Sequence, residues 1–286
     1  MLRFFTCNEN RYGGGYNSIK HFSDRLLQLL LIFEPVSIVL RAVIFALEGR
    51  SVIYIFLRVL QSVVFYQYGA LWYIQAMVVG VWIIYFIVLK KKKVVLGFFF
   101  GFVLFLIALI CNSYYFLVKD TVVGNGVNLY LKVAVSARNG IFYGFFVLLV
   151  GMLAYQIHKN NRVSNKMVVT LFFVCYGLYL FELFSLKSKT MKDDGSIFIM
   201  SIPVTLCLLF MSVNHRTNSG KSILLRNLST GVYLLHRPIL YLLSITQMIA
   251  NIELSHTVIF SIVSISAVAI CIIAYRGNFR VSRYLK

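Results

Sequence analysis

Long apolar runs separated by short polar stretches restrict the fold of this chain more than any other feature. The 286 residues are 60% hydrophobic and only 13% charged, whereas a soluble domain carries about 25% charged residues. A globule in water could not cover so much apolar surface. The runs are continuous, about as long as the 20-residue helix that crosses a bilayer, and lack the alternation of barrel strands. The sequence therefore predicts an all-α, polytopic transmembrane helix bundle of about eight or nine membrane helices.

This pattern predicts three regions. A polar cytoplasmic segment covers 1–25, a transmembrane domain covers 26–275, and a basic cytoplasmic tail covers 276–286. The first two apolar runs contain charged residues, and each fits a tilted or interfacial helix as well as a clean span. The predicted apolar segments are 26–47, 51–68, 70–89, 94–118, 140–157, 167–184, 197–213, 228–249 and 256–275.

The distribution of lysine and arginine predicts the orientation of the chain. Fourteen of these residues lie in Lys90–Lys93, the loops 158–166 and 214–227, and the tail, whereas six lie in the opposite loops 119–139 and 185–196. Basic loops stay in the cytoplasm. We therefore expect the C-terminus inside, the loops 119–139 and 185–196 outside, and a multi-pass protein of the bacterial inner membrane.

The net charge of +19 does not indicate a nucleic-acid partner, because the basic residues occupy the short loops where orientation signals belong. The cysteines and histidines are scattered and have neither disulfide-framework nor metal-ligand spacing, so no metal site is expected. Gly220-Lys221-Ser222 lacks the glycine five positions earlier that a phosphate-binding loop needs, since His215 stands there.

One apolar segment carries ionisable residues in its interior. Ser229, Tyr233 and His236 stand at i, i+4 and i+7, so a helix places them on one face. A histidine inside the membrane can exchange a proton near neutral pH. The residues leave two interpretations open: a functional site at His236, or a hydrogen-bonded structural histidine beside a snorkelling Arg237.

A second candidate site is Arg138-Asn139-Gly140 at the start of segment 140–157. Asn139 is a plausible helix N-cap, and Arg138 at the membrane surface could bind an anionic or polyhydroxyl group. A simple interfacial anchor is the alternative. Glu182, near the outward end of its helix, is expected to be solvated or paired with Lys187.

Three stretches together resemble the membrane-bound acyltransferase type 3 family, whose members O-acylate sugars of surface polysaccharides and related molecules. The resemblance covers roughly residues 20–275. The stretches are Gly69-Ala70-Leu71-Trp72-Tyr73-Ile74, then Ala137-Arg138-Asn139-Gly140-Ile141-Phe142-Tyr143-Gly144-Phe145-Phe146 with the later Gly151, and Ser229-Thr230-Gly231-Val232-Tyr233-Leu234-Leu235-His236.

The resemblance implies an enzyme that moves an acetyl or other acyl group from cytoplasmic acyl-CoA to a hydroxyl of a cell-envelope polysaccharide or its lipid-linked precursor. It implies no metal. By resemblance, we expect two catalytic residues and four substrate-binding residues. The catalytic ones are His236 and Arg138, and the substrate-binding ones are Tyr233, Ser229, Asn139 and Trp72.

The chain also departs from the family pattern. Family members begin with two further helices, the first of which carries a histidine thought to act in acyl transfer, and His21 in its polar stretch is a poor substitute. The resemblance therefore implies a chain without those two helices. Two alternatives stay open: a non-enzymatic polysaccharide transporter or export component on the same scaffold, and an inactive, N-terminally truncated family member.

Overall fold

The computed structural model describes residues 12–64, 71–91, 93–160, 164–192, 195–214 and 220–276. These residues form ten α-helices, and no strand occurs among them, so the all-α prediction is confirmed for the part of the chain that they cover. The helices are α1 (Tyr12–Leu47), α2 (Val52–Val64), α3 (Trp72–Ile84), α4 (Val94–Ile110), α5 (Val122–Ala134), α6 (Phe145–Asn160), α7 (Asn165–Leu186), α8 (Ser201–Asn214), α9 (Gly220–Ala250) and α10 (His256–Arg276).

Two helices change their winding at one end. A π-helix at Tyr85–Lys90 continues α3, and another at Gly140–Gly144 precedes α6. A 3₁₀ turn at Tyr115–Leu117 lies between α4 and α5.

Six helical stretches have the length and composition needed to cross a membrane, and the chain is a multi-pass membrane protein. Three further apolar helices are shorter, at Val52–Ser62, Val94–Ile110 and Ser201–Ser212. The predicted count of eight or nine spans therefore stays a prediction, because it depends on these short helices. The six long stretches are Ile19–Leu47, Trp72–Lys90, Gly140–His158, Asn165–Leu186, Leu228–Ala250 and His256–Ala274.

The helix bounds differ from the predicted apolar segments in three main places, and one of them is α9, which begins at Gly220 rather than at 228. Helix α1 begins at Tyr12, well before the apolar run at 26. The predicted segment 94–118 is divided, because α4 ends at Ile110. Just beyond that end, the buried Asn112 accepts the backbone N–H of Ile197 on its side-chain oxygen at 2.8 Å, a tertiary bond that its position in an apolar run does not reveal.

The chain divides into two compact units. The first contains Met1–Asp24 and Tyr73–Arg216, and the second contains Arg25–Trp72 and Thr217–Lys286. Each predicted catalytic residue belongs to a different unit, with Arg138 in the first and His236 in the second.

Small residues bring α3 and the π-helix that precedes α6 into backbone contact in the first unit. A Cβ on Gly144 would lie 2.8 Å from the Ala76 carbonyl oxygen, and one on Gly140 would lie 2.4 Å from Val79 Cβ. A Cβ on Gly80 would in turn lie 3.2 Å from the Gly144 carbonyl carbon. Glycines four residues apart allow such close helix approach in membranes, and this contact fixes the helix that follows Arg138.

Several predicted features lie outside the described residues. They are the first eleven residues, Gly69 and Ala70 of the first family-like stretch, the basic residues Lys92, Arg162 and Arg216, and the tail beyond Arg276.

Candidate functional site

The turn that carries Arg138 ends in a helix cap. The Asn139 side-chain oxygen accepts the backbone N–H groups of Ile141 and Phe142, each at 3.0 Å. These N–H groups belong to the first turn of the helix, where no backbone partner is available. The prediction that Asn139 is an N-cap is confirmed, and the cap fixes the direction in which the chain enters the membrane span.

Tyr130 of α5 holds the same turn from the side. Its hydroxyl oxygen accepts from Asn139 Nδ2 at 3.0 Å and donates to the Ser136 carbonyl oxygen at 3.3 Å. Burial raises the pKa of the Tyr130 phenol, although the hydrogen bond from Asn139 acts in the opposite direction. The phenol therefore keeps the proton that it donates to Ser136, and α5 and the turn form one hydrogen-bonded unit.

Arg138 is half-buried beside this network. Its backbone N–H donates to Ser136 Oγ at 3.0 Å, and its Nε lies 3.5 Å from the same oxygen. The guanidinium is close enough to the Tyr143 hydroxyl to interact with it electrostatically, and that hydroxyl is hydrogen-bonded to Ser201 at the start of α8. A cation surrounded by hydroxyl groups can bind a carboxylate, a phosphate or a polyhydroxyl compound.

Glu182 caps the start of α8. The expectation that it is solvated or paired with Lys187 is therefore wrong. Its carboxylate accepts the backbone N–H groups of Ile199 and Met200, each at 2.8 Å, and the hydroxyl of Tyr114. The two N–H groups stand immediately before α8, where the helix dipole favours a negative charge. Burial first, and then the hydrogen bond and charge of Glu182, raise the pKa of the Tyr114 phenol far above its usual range.

In the second unit, His236 lies on a continuous helix with its predicted neighbours. Helix α9 runs unbroken from Gly220 to Ala250 through Pro238, so Ser229, Tyr233 and His236 do share one face, as predicted. His236 Nδ1 lies 2.7 Å from the Tyr233 carbonyl oxygen, and the two rings have their centroids 5.8 Å apart. A carbonyl oxygen only accepts, so Nδ1 carries a proton and Nε2 of the neutral ring is the acceptor.

Other charged residues of the second unit lie against aromatic rings. The Arg41 guanidinium carbon is 4.5 Å from the centroid of Phe45 and 5.9 Å from that of Tyr241. Arg58 donates from Nη1 to the Gln61 side-chain oxygen at 2.9 Å and from Nε to the Tyr54 hydroxyl at 3.2 Å. Such contacts reduce the cost of placing a guanidinium among apolar helices.

The structure thus groups some of the predicted site residues. Arg138 and Asn139 share one turn, whereas Ser229, Tyr233 and His236 share one helix face, and Trp72 is the half-buried first residue of α3. Sequence reasoning missed the tyrosines and serines around Arg138. No local signal identified them, because these polar residues stand in separate elements that only the fold assembles. They are Tyr130, Ser136, Tyr143 and Ser201.

Comparison with known proteins gives three results. The chain is 26% identical over 148 residues to an amino-acid racemase of Enterococcus faecalis, and the match covers 51% of this chain but only 20% of the racemase. No solved structure matches. The model of the acyltransferase type 3 family, described as an acyltransferase domain, matches residues 4–276. That range includes the Arg138 turn and the His236 helix, as the resemblance predicted, and the chain belongs to the acyltransferase type 3 family.

Proposed function

We propose that this chain is an integral membrane O-acyltransferase that moves an acetyl or other acyl group from cytoplasmic acyl-CoA to a hydroxyl of a cell-envelope polysaccharide or its lipid-linked precursor. The family match over residues 4–276 carries the proposal. It supports a membrane acyltransferase in general, and the donor and the acceptor are our inference. The transfer forms a bond between the acceptor oxygen and the acyl carbon, breaks the thioester C–S bond, and moves the hydroxyl proton to a base.

His236 is the proposed base. Because Nδ1 is held by the Tyr233 carbonyl oxygen at 2.7 Å, the imidazole orientation and its tautomer are fixed, and the lone pair of Nε2 can accept a proton from a hydroxyl. Tyr233 and Ser229, on the same face, are the proposed residues that orient the acceptor hydroxyl.

Arg138 is the proposed cationic donor. Its guanidinium can stabilise an oxyanion or hold a polar group of the acceptor. Asn139 keeps the turn in place through its cap. Trp72 offers an amphipathic ring of the kind that lies at the membrane interface. No metal is needed for these roles.

The proposed topology places the donor and acceptor on opposite faces of a bacterial inner membrane. If the short apolar helices also cross, the chain has eight or nine spans. The loops with fourteen basic residues then face the cytoplasm, and the Arg138 turn, which begins a membrane span, faces outward.

The test uses the full chain in a deletion host, with O-acetyl ester on isolated envelope glycan as the readout. We expect His236→Ala to lower ester transfer by about 10²–10⁴-fold, the usual contribution of a positioned base. His256→Ala is the matched control, because His256 is an exposed histidine at the start of α10, and it should leave transfer unchanged.

Equal ester content with and without the chain would overturn the proposal. If the amount of exported polysaccharide changed while acylation did not, the export component would be the correct alternative. Equal loss in both histidine variants, at equal protein level in the membrane, would reject the role of His236.

A further inference from the structure

Helix α5 is too short to span a membrane. Its 13 residues extend about 20 Å at 1.5 Å per residue, whereas the hydrocarbon core is about 30 Å thick. It lies between α4 and the span that begins at Gly140. Its role is therefore not explained by the membrane crossings on either side.

One face of α5 is apolar and exposed. Val122, Leu129 and Val133 are 87%, 66% and 52% exposed. They stand at i, i+7 and i+11, and Gly126 lies on the same line at i+4, so the four positions form one stripe along the helix. In water, such a stripe would be unfavourable by roughly 25 cal/mol for each Å² of apolar surface.

The rest of the helix has two different faces. Val127 and Ala134 are buried against the first unit, whereas Asn125 and Lys132 are exposed beside the stripe. A helix with one packed face, one polar strip and one exposed apolar stripe matches the pattern of helices that lie in the plane of a membrane interface.

The packed face sets the depth of α5. Val127 belongs to the same buried cluster as Phe105, Ala108 and Leu109, which form the last turns of the apolar helix α4. Helix α5 therefore packs against the C-terminal end of α4, one of the shorter apolar helices. If α4 crosses the bilayer, its end lies where acyl chains meet headgroups, and the exposed stripe lies beside that end.

Local contacts hold α5 in that position. The Thr121 hydroxyl caps it by accepting the Gly124 N–H at 3.3 Å, and Asn128 Nδ2 donates to the Tyr115 hydroxyl at 2.8 Å. Gly124 is required, because a Cβ there would lie 2.1 Å from the Val118 carbonyl oxygen.

We infer that α5 is an interfacial helix whose stripe of Val122, Gly126, Leu129 and Val133 lies against the acyl-chain boundary of the leaflet opposite Lys90–Lys93. The bilayer surface is its partner, and Lys132 lies on the strip that faces the headgroups. Since Tyr130 of α5 bonds Asn139 and Ser136, the lipid surface also supports the Arg138 turn. The inference does not depend on acyl transfer.

The test introduces one new cysteine at a time into the full chain, which is reconstituted in lipid nanodiscs and labelled with bimane. Gly126→Cys reports the stripe, because a Cβ at Gly126 meets nothing within 4 Å. Asn125→Cys is the matched control on the polar strip, one residue away. All variants are made in a background chain that carries Cys7→Ser. The four described cysteines are buried, and signal from the labelled background chain is subtracted.

At position 126, we expect strong quenching by lipid carrying a nitroxide near the headgroup and weak quenching by aqueous iodide, with the reverse at position 125. Equal iodide quenching at both positions, without lipid quenching at 126, would overturn the inference. If Gly126→Cys accumulates poorly, Leu129→Cys provides a second reporter on the stripe. Quenching by lipid at position 129 would then support the inference, and quenching by iodide alone would overturn it.

Discussion

At the scale of single residues, short polar side chains fix the ends of the helices. Asn139 caps its own helix, a local pattern that the sequence reveals because cap and helix are adjacent. Glu182 caps α8 from the neighbouring helix α7 and also binds Tyr114, 68 positions away in the chain. The sequence could not reveal this second cap, since its partners Ile199, Met200 and Tyr114 are far from Glu182 in the chain.

The role of Glu182 predicts a stability change. In Glu182→Ala, the N–H groups of Ile199 and Met200 lose their charged acceptor, and a hydrogen bond to a charged group contributes about 1.5–3 kcal/mol. We expect a lower melting temperature in detergent, measured by tryptophan fluorescence, and a partial effect for Glu182→Gln because the amide oxygen can still accept.

The control for this prediction is Glu253→Ala, which removes an exposed carboxylate after α9. It should leave the melting temperature unchanged. Equal melting temperatures for wild type and Glu182→Ala would contradict the capping role.

At the scale of elements, helix identity was predictable and helix contacts were not. The apolar runs predicted nearly every membrane helix, because burial in lipid is decided by composition. Segment 94–118 is divided just before Asn112, whose side-chain oxygen accepts the N–H of Ile197 from a distant part of the chain. In the sequence, the glycines of the Arg138 stretch are part of a family-like pattern, and the structure gives them a physical reason in the backbone contact with α3.

The glycine contact predicts different effects for two alanine substitutions that lie about two helical turns apart. Gly144→Ala places a methyl group 2.8 Å from the Ala76 carbonyl oxygen. We expect it to push the helices apart and lower the yield of monodisperse protein in fluorescence-detected size-exclusion chromatography, since overpacking costs about 1–3 kcal/mol.

Gly151→Ala is the control, because a Cβ at Gly151 meets nothing within 4 Å. It should be neutral or stabilise the helix by up to about 1 kcal/mol, the difference in helix propensity between the two residues. Equal yields from both variants would contradict the close packing of α3 and α6.

At the scale of the whole molecule, the sequence determines solvent and class but not the assembly of a site. A low charge fraction and the family match together define a multi-pass membrane acyltransferase-family protein. Arg138 and His236, expected together as catalytic residues, belong to separate units. The catalytic roles of both residues stay predictions. A sequence motif gives the types of residues present, whereas the side chains that surround Arg138 come from distant segments of the chain.

The orientation predicts the result of reporter fusions. Fusions that end after Lys91 and after Lys286 should report the same, cytoplasmic side, because an even number of crossings separates them. A fusion after Asp120 should report the opposite side if the short helix α4 crosses. Alkaline phosphatase and fluorescent-protein activities measure the two sides, and opposite sides for Lys91 and Lys286 would reject the topology.

The seam of Ala76, Gly80, Gly140 and Gly144 has a genetic consequence. Glycine is the smallest residue, so every amino-acid change at Gly80, Gly140 or Gly144 adds at least one carbon to the contact. Random mutagenesis should therefore retain glycine at these three positions among functional clones, whereas Gly126 and Gly151, whose added carbon would meet open space, should accept alanine or serine.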